Sequence, residues 1–178
     1  MEKKEDRRIQ MTKRLLKDAL ISLLRDKDIY HISIRELCDM ADINRTTFYK
    51  YYGSQFDLLA DMENDMVTFV THTFEHQKAD FDKIVSICRY LEENIAFARL
   101  IVNNNVDPTF AQKMFSLESI KNRALKKFVG QKSREELEYI YNFITYGAYR
   151  MVCVWLNKEE RESPEVIARL LEQMMLRI

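Results

Sequence analysis

Apolar positions along the chain recur at intervals of three and four, with charged residues between them, which predicts helices almost throughout. In the first segment, Leu15, Leu16, Ala19, Leu20, Leu23 and Leu24 fall on one side of a helix expected over residues 6–25. The run Asp26-Lys27-Asp28-Ile29-Tyr30-His31 ends it. Ser33 followed three positions later by Glu36 has the spacing of a capping box. It opens a short helix whose apolar side is Ile34, Leu37, Cys38 and Ala41. Asp42-Ile43 breaks that helix, and Asn44 is a good N-cap for the next, expected over 45–52. Gly53 is expected to supply a left-handed terminal residue, after which Ser54 and Asp57 restart a helix. A long helix followed by two short ones across a three- or four-residue turn is helix-turn-helix punctuation.

Further helices are expected over 54–77, 80–93 and 94–102. Asp107-Pro108 then opens a helical stretch that ends near Gly130. Ser133 with Glu136 is a second capping box, starting a long helix to about 156, and Ser163-Pro164 opens the last one. Three glycines and two prolines in 178 residues leave little material for hairpins or Gly-rich loops. The expected fold is therefore all-α: a three-helix N-terminal domain over residues 1–53 and a helical bundle over 54–178.

On a helix over 45–52, Phe48 and Tyr52 share a side with the preceding apolar set. Arg45, Thr46, Tyr49 and Lys50 fall opposite, with Thr47 and Tyr51 flanking them. Guanidinium, hydroxyl, phenol and ammonium groups on one wet face suit guanine acceptors, thymine methyls and phosphate oxygens in a major groove. Charge bears on this only through its distribution. The chain is neutral overall, but residues 1–52 carry an excess of +3 and the remainder −3. A basic arm (Lys3, Lys4, Arg7, Arg8, Lys13, Arg14, Lys17) suits phosphate contact at one end.

The segment Ile32-Ser-Ile-Arg-Glu-Leu-Cys-Asp-Met-Ala-Asp-Ile-Asn-Arg-Thr-Thr-Phe-Tyr-Lys-Tyr-Tyr, followed by Asp57-Leu58-Leu59, closely resembles the DNA-binding domain of TetR-family regulators. The likeness covers about residues 10–60. It implies that Arg45, Thr46, Thr47, Tyr49, Lys50 and Tyr51 touch bases and phosphates of double-stranded operator DNA, and that Thr12 meets the backbone. Two positions depart from the family pattern. Asp42 stands where glycine is usual in the turn, and Asp tolerates the left-handed conformation better than most residues. Gln55 stands where a phosphate-binding lysine usually begins the fourth helix, keeping a donor but no charge. The second half is similar to a TetR subgroup that includes an activator of dihydroxyacetone-kinase genes. The likeness rests on Glu93-Asn94, Asn105 to Phe110, Phe143 with Gly147, Trp155-Leu156 and Ser163-Pro164-Glu165.

That half is rich in Met and aromatic residues, which suits either a plain core or an apolar pocket. Phe69, Tyr90, Phe97, Tyr146 and Tyr149 are the candidate lining for a small-molecule effector, and the resemblance also admits a protein co-activator. The last two helices are apolar on more than one side. One stripe holds Leu137, Ile140, Ile144, Gly147, Met151 and Val154, and the adjoining one Tyr141, Ala148, Val152 and Trp155. An isologous homodimer interface through Met151, Val154, Trp155, Ile167, Leu170, Leu171 and Met174 is expected.

Other chemistry is thinly represented. His72 and His76 stand four apart, as metal ligands can, but no third ligand has matching spacing, so no metal is expected. Cys38, Cys88 and Cys153 fit no metal or redox motif and read as reduced thiols of a cytoplasmic protein. No nucleophile elbow, phosphate loop or zinc-hydrolase helix occurs, so neither an enzyme nor a cofactor is expected. No apolar run is long enough for a membrane span. The competing reading is a helical adaptor without DNA specificity of its own.

Overall fold

A computed structural model of the chain describes residues 2–76, 79–103, 106–107, 109–126, 128 and 130–177. Within them it is helical, with no strand. The helices are α1 (Glu2–Leu23), α2 (Ile34–Ala41), α3 (Arg45–Tyr49), α4 (Gln55–His76), α5 (Asp80–Glu93), α6 (Ile95–Val102), α7 (Phe110–Phe115), α8 (Glu118–Leu125), α9 (Arg134–Asn157) and α10 (Pro164–Arg177). They form two compact units, Met1–Met66 and Val67–Ile178.

In the first unit, α1 packs on α2 and α2 on α3. Leu16, Leu20, Leu37, Phe48 and Leu58 are fully buried at its centre. The local signals explain the breaks. Asp28 accepts from the backbone N–H groups of Tyr30 and His31, winding Ile29–His31 into a single 3-10 turn. Ser33 and Glu36 satisfy each other's backbone N–H groups in a complete capping box. Lys27 pairs with Glu36 as well. These bonds hold the Glu36 carboxyl down at about 2, the Lys27 contact contributing most. Asp42 ends α2 in the left-handed region (φ 53°, ψ 44°), as expected of the turn. Gly53 departs from expectation: among the described residues only Gly130 and Asp42 have positive φ. Gly53 serves close approach instead. A Cβ there would sit 2.9 Å from Asp57 Oδ2, the oxygen that accepts the Gly53 N–H.

In the second unit, α10 packs on α5 and α9, while α6 and α8 also pack on α9. Trp155 and Leu156 are fully buried, and the indole N–H of Trp155 donates to the Glu162 carbonyl at 2.8 Å. Arg99 reaches from α6 to the Leu156 and Lys158 carbonyls, satisfying acceptors that the C-terminus of α9 leaves open. Ala124, Leu125, Phe128, Tyr141 and Ile144 form a second apolar cluster. Ser133 and Glu136 make the expected capping box at the start of α9. The stretch expected to run from 108 to about 130 is two helices. It breaks at Ser116, whose hydroxyl donates to the Lys113 carbonyl. Asp107 accepts from the Thr109 N–H at 2.7 Å, and Pro108, expected at the first helical position, lies outside the described residues.

Candidate nucleic-acid interface

The α2-turn-α3 segment sorts its side chains by face. Asn44 caps α3 by accepting the Thr46 N–H at 2.8 Å. Regular α-helix ends at Tyr49, three residues short of expectation, but the Tyr51 and Tyr52 N–H groups both donate to the Phe48 carbonyl, so the turn continues. Phe48 is 0% exposed and Tyr52 5%, each packed ring against ring. Arg45, Thr46 and Lys50 are exposed, and Tyr49 stands 57% exposed with its ring edge-on to Phe48. Thr47 and Tyr51 are half-buried beside them. An aromatic ring thus stands in water against a buried neighbour, on the same exposed face as an ammonium and a guanidinium.

Behind that face lies a polar lock. Tyr52 donates its hydroxyl to Asp61 Oδ2 at 2.7 Å. Lys17 of α1 bridges Asp61 at 2.8 Å and Asp65 at 2.6 Å, both on α4. Lys13 lies 3.8 Å from Asp61 and over the Tyr52 ring. Burial disfavours the Asp61 carboxylate, but the Lys17 and Tyr52 bonds outweigh it and hold the carboxyl below its ordinary range. Burial likewise disfavours charged Lys17, and the two carboxylates outweigh it, raising its pKa. The Tyr52 hydroxyl is pushed well up, by burial first and by Asp61 second. Helices α1, α3 and α4 thus meet at one carboxylate. The sequence reading did not single out Asp61; an acidic residue on the apolar side of a helix was the available signal.

The remaining expected contact residues have local partners. The Thr12 hydroxyl donates to the Arg8 carbonyl at 2.9 Å, one turn back. The side-chain amide of Gln55 lies 3.4 Å from the Ile29 carbonyl, and the neighbouring Phe56 ring packs against Tyr30.

In the second unit the candidate effector-lining residues fall into separate groups. Phe69 and Tyr90 stack at 4.1 Å and 13°. Tyr146 and Tyr149 both flank Phe115. Tyr149 donates to the Val102 carbonyl, and burial with the Cys153 thiol beside it pushes its hydroxyl up to about 12. Phe97 is buried and Tyr146 is exposed. Between α9 and α10 lies an open groove of about 390 Å³ lined by Gly147, Met151, Val154, Trp155, Ile167 and Leu170, with Arg150, Lys158 and Glu162 along its polar margin. Of the expected interface residues, Trp155, Ile167 and Leu171 are buried within the protomer, Met151 is half-buried, and Val154, Leu170 and Met174 are exposed. The exposed apolar surface extends to Tyr139, Phe143, Tyr146 and Val166, which the sequence reading did not assign to the interface. His72 and His76 stack on each other, with His76 Nδ1 3.0 Å from the His72 carbonyl oxygen. No group of three metal-ligating side chains occurs among the described residues. No helix there is long and apolar enough to cross a membrane.

Comparison with known proteins agrees with this architecture. The chain is 23% identical over 163 residues to an uncharacterized HTH-type transcriptional regulator, YxbF, of Bacillus subtilis strain 168, spanning 86% of this chain and 42% of that protein. It is 25% identical over 103 residues to the HTH-type dhaKLM operon transcriptional activator DhaS of Lactococcus lactis, spanning 56% of this chain and 54% of that one. The chain thus spans about half the length of the curated relatives it matches. Among solved structures it superposes on a TetR transcriptional regulator from Streptococcus agalactiae 2603V (TM-score 0.67, 23% identity, 98% and 99% of the two chains). It also superposes on the dihydroxyacetone kinase operon activator DhaS (TM-score 0.61, 20% identity, 93% and 94%). Residues 81–177 match the TetR-type family model described as the transcriptional regulator C-terminal region. With more than half of its length so matched, the chain belongs to the TetR family of transcriptional regulators.

Proposed function

We propose that the chain binds operator DNA as a two-fold dimer, each protomer placing α3 in a major groove, and that an effector modulates this binding. The observation that carries the reading is the division of α3 itself. Phe48 and Tyr52 are consumed by the core, while Arg45, Thr46, Tyr49 and Lys50 stand in water beside half-buried Thr47 and Tyr51. Helix-turn-helix dimers mirror their own symmetry in the site, so the operator is an inverted repeat with half-sites about one helical turn apart, or a multiple of it. Thr12 and Gln55 are assigned to the phosphate backbone. Gln55 supplies a neutral donor, so the contact is weak in salt-dependent affinity. Residues 1–53 carry the base-reading helices, and 54–178, whose first helix adds the Gln55 backbone contact, hold the dimer and effector functions.

The effector, a small molecule or a protein co-activator, acts by population shift: it favours whichever spacing of the two α3 helices it binds better, in proportion to its differential affinity. DhaS, an activator by its description, is similar to this chain over 103 residues, which supports a modulated regulator. Selection of bound fragments from a genomic library by the purified chain tests the proposal. Recovery of a shared inverted repeat is the expected result. Recovery of unrelated sequences in proportion to their abundance favours the adaptor without DNA specificity.

A further inference from the structure

Helix α9 carries an outward stripe of Tyr139, Phe143, Tyr146, Gly147, Arg150 and Val154, all exposed. Tyr139 is 77% and Phe143 70% in water, an unfavourable placement for two rings that nothing in the protomer covers. The spacing of the six positions reads the same from either end, mirrored about the point between 146 and 147. A helix packed antiparallel on its own copy brings each such position onto its mirror position. Tyr146 then meets the partner's Gly147, Phe143 meets the partner's Arg150, and Tyr139 meets the partner's Val154.

Each pairing is physically sensible. Gly147 stands inside a 24-residue helix, where glycine costs roughly 1 kcal/mol relative to alanine. Beyond its chain neighbours and the adjoining backbone of its own helix, no described atom of the protomer lies within 4 Å of where its Cβ would be, so internal packing does not require the glycine. Close approach from outside does. A tyrosine against a glycine is a knob against a gap, and a guanidinium against a phenyl face is attractive. Val154 lines the open α9–α10 groove, so an antiparallel copy lays its Tyr139 over that groove. Glu135, in the first turn of α9, has the partner's Lys158 as its mirror position; Lys158 also pairs with Glu162 of its own protomer.

We propose that two copies of this chain cross antiparallel at Tyr146–Gly147 of α9, each protomer seating its Tyr139 on the groove between α9 and α10 of the other. This rests on the dimer reading above and adds its register.

Cysteine cross-linking of the full chain with a short bismaleimide tests the register, alongside sedimentation of the unmodified protein. The native cysteines are buried, so the unmodified chain sets the background. Tyr146→Cys is expected to link to itself across the axis. Tyr139→Cys is not, since its copies stand roughly 22 Å apart along the helix, but it links when mixed with Val154→Cys. Self-linking of Tyr139→Cys without that of Tyr146→Cys, in a chain that sediments as a dimer, overturns the register and leaves the dimer reading intact. A monomer at micromolar concentration overturns both. Gly147→Leu gives a second check: the protomer keeps its helix content and melting behaviour while the dimer dissociation constant rises at least about tenfold. An unchanged constant overturns the proposal.

Discussion

The Tyr52 hydroxyl, at the end of the α3 turn, donates to Asp61 of α4 across 2.7 Å, and the same carboxylate takes Lys17 of α1 at 2.8 Å. One acidic side chain therefore ties the α3 segment to α1 and α4. Removing a partner from such a cluster leaves the others short of a bond in a partly buried place, which costs more than the bond itself contributes.

Tyr52→Phe is expected to lower stability by about 1 kcal/mol, since Asp61 keeps its lysine. Asp61→Ala is expected to cost more, because it strands the part-buried Tyr52 hydroxyl and leaves the Lys17 ammonium with Asp65 alone. Chemical unfolding of the two variants measures this, and equal losses contradict the shared-carboxylate account.

The same cluster makes stability depend on pH with a definite sign. The folded-state Asp61 carboxyl titrates below its unfolded value of about 3.8, so its contribution is complete above that value and is lost as pH falls through the folded pKa. Glu36, held at about 2 against an unfolded value of 4.5, acts the same way over the window from 4.5 down to 2. Lys17 acts oppositely: its contribution is complete below 10.5 and fades as pH rises through its raised folded value. Asp61→Asn and Glu36→Gln are each expected to flatten the fall in stability between about pH 5 and pH 3. Thermal melts across that range check it, and an unaltered slope contradicts it.

Substitutions in α3 separate the wet face from the core. Tyr49→Ala and Lys50→Ala are expected to leave melting nearly unchanged while weakening operator binding by about 1–3 kcal/mol for a base contact. Lys50→Ala lowers the salt slope by about one if the ammonium meets a phosphate. Phe48→Ala is expected to cost about 3–5 kcal/mol of folding stability. A comparable loss of stability from Tyr49→Ala places that ring in the core and removes it from the interface.

On the groove between α9 and α10, Leu170→Glu is expected to give folded monomers, because Leu170 is 39% exposed in the protomer and its carboxylate becomes buried only on pairing. Sedimentation of the variant is the measurement, and an intact dimer moves the interface elsewhere.

Local chemistry made much of the fold legible in the sequence. Ser33 with Glu36, Ser133 with Glu136, and Asn44 set helix starts through bonds that span two or three residues, so the spacing alone carries them. The division of α3 followed from helical periodicity, since Phe48 and Tyr52 continue the apolar side of α2. Gly53 was misread because a glycine after a helix usually signals a left-handed residue; here its φ is not positive, and its one close contact, the end of the Asp57 side chain, is a property of the folded corner. The bond from Lys17 to Asp65 spans 48 positions, and nothing in a local pattern announces it. Periodicity marks α9 as apolar on several sides, but which side is covered depends on α10 and α6. Trp155, named with the interface, is therefore deep in the protomer, while Phe143 stands in water.

Whether α3 reads DNA is decided by a salt titration of the purified chain on its selected inverted repeat. An α3 that reads DNA gives saturable dimer binding to the repeat, a logarithmic affinity that falls linearly with the logarithm of salt, and a shallower slope for Lys50→Ala. Tyr49→Ala is expected to lower affinity for the repeat more than for scrambled duplex. Equal affinity of the unmodified chain for repeat and scrambled duplex, unaffected by either substitution, contradicts it.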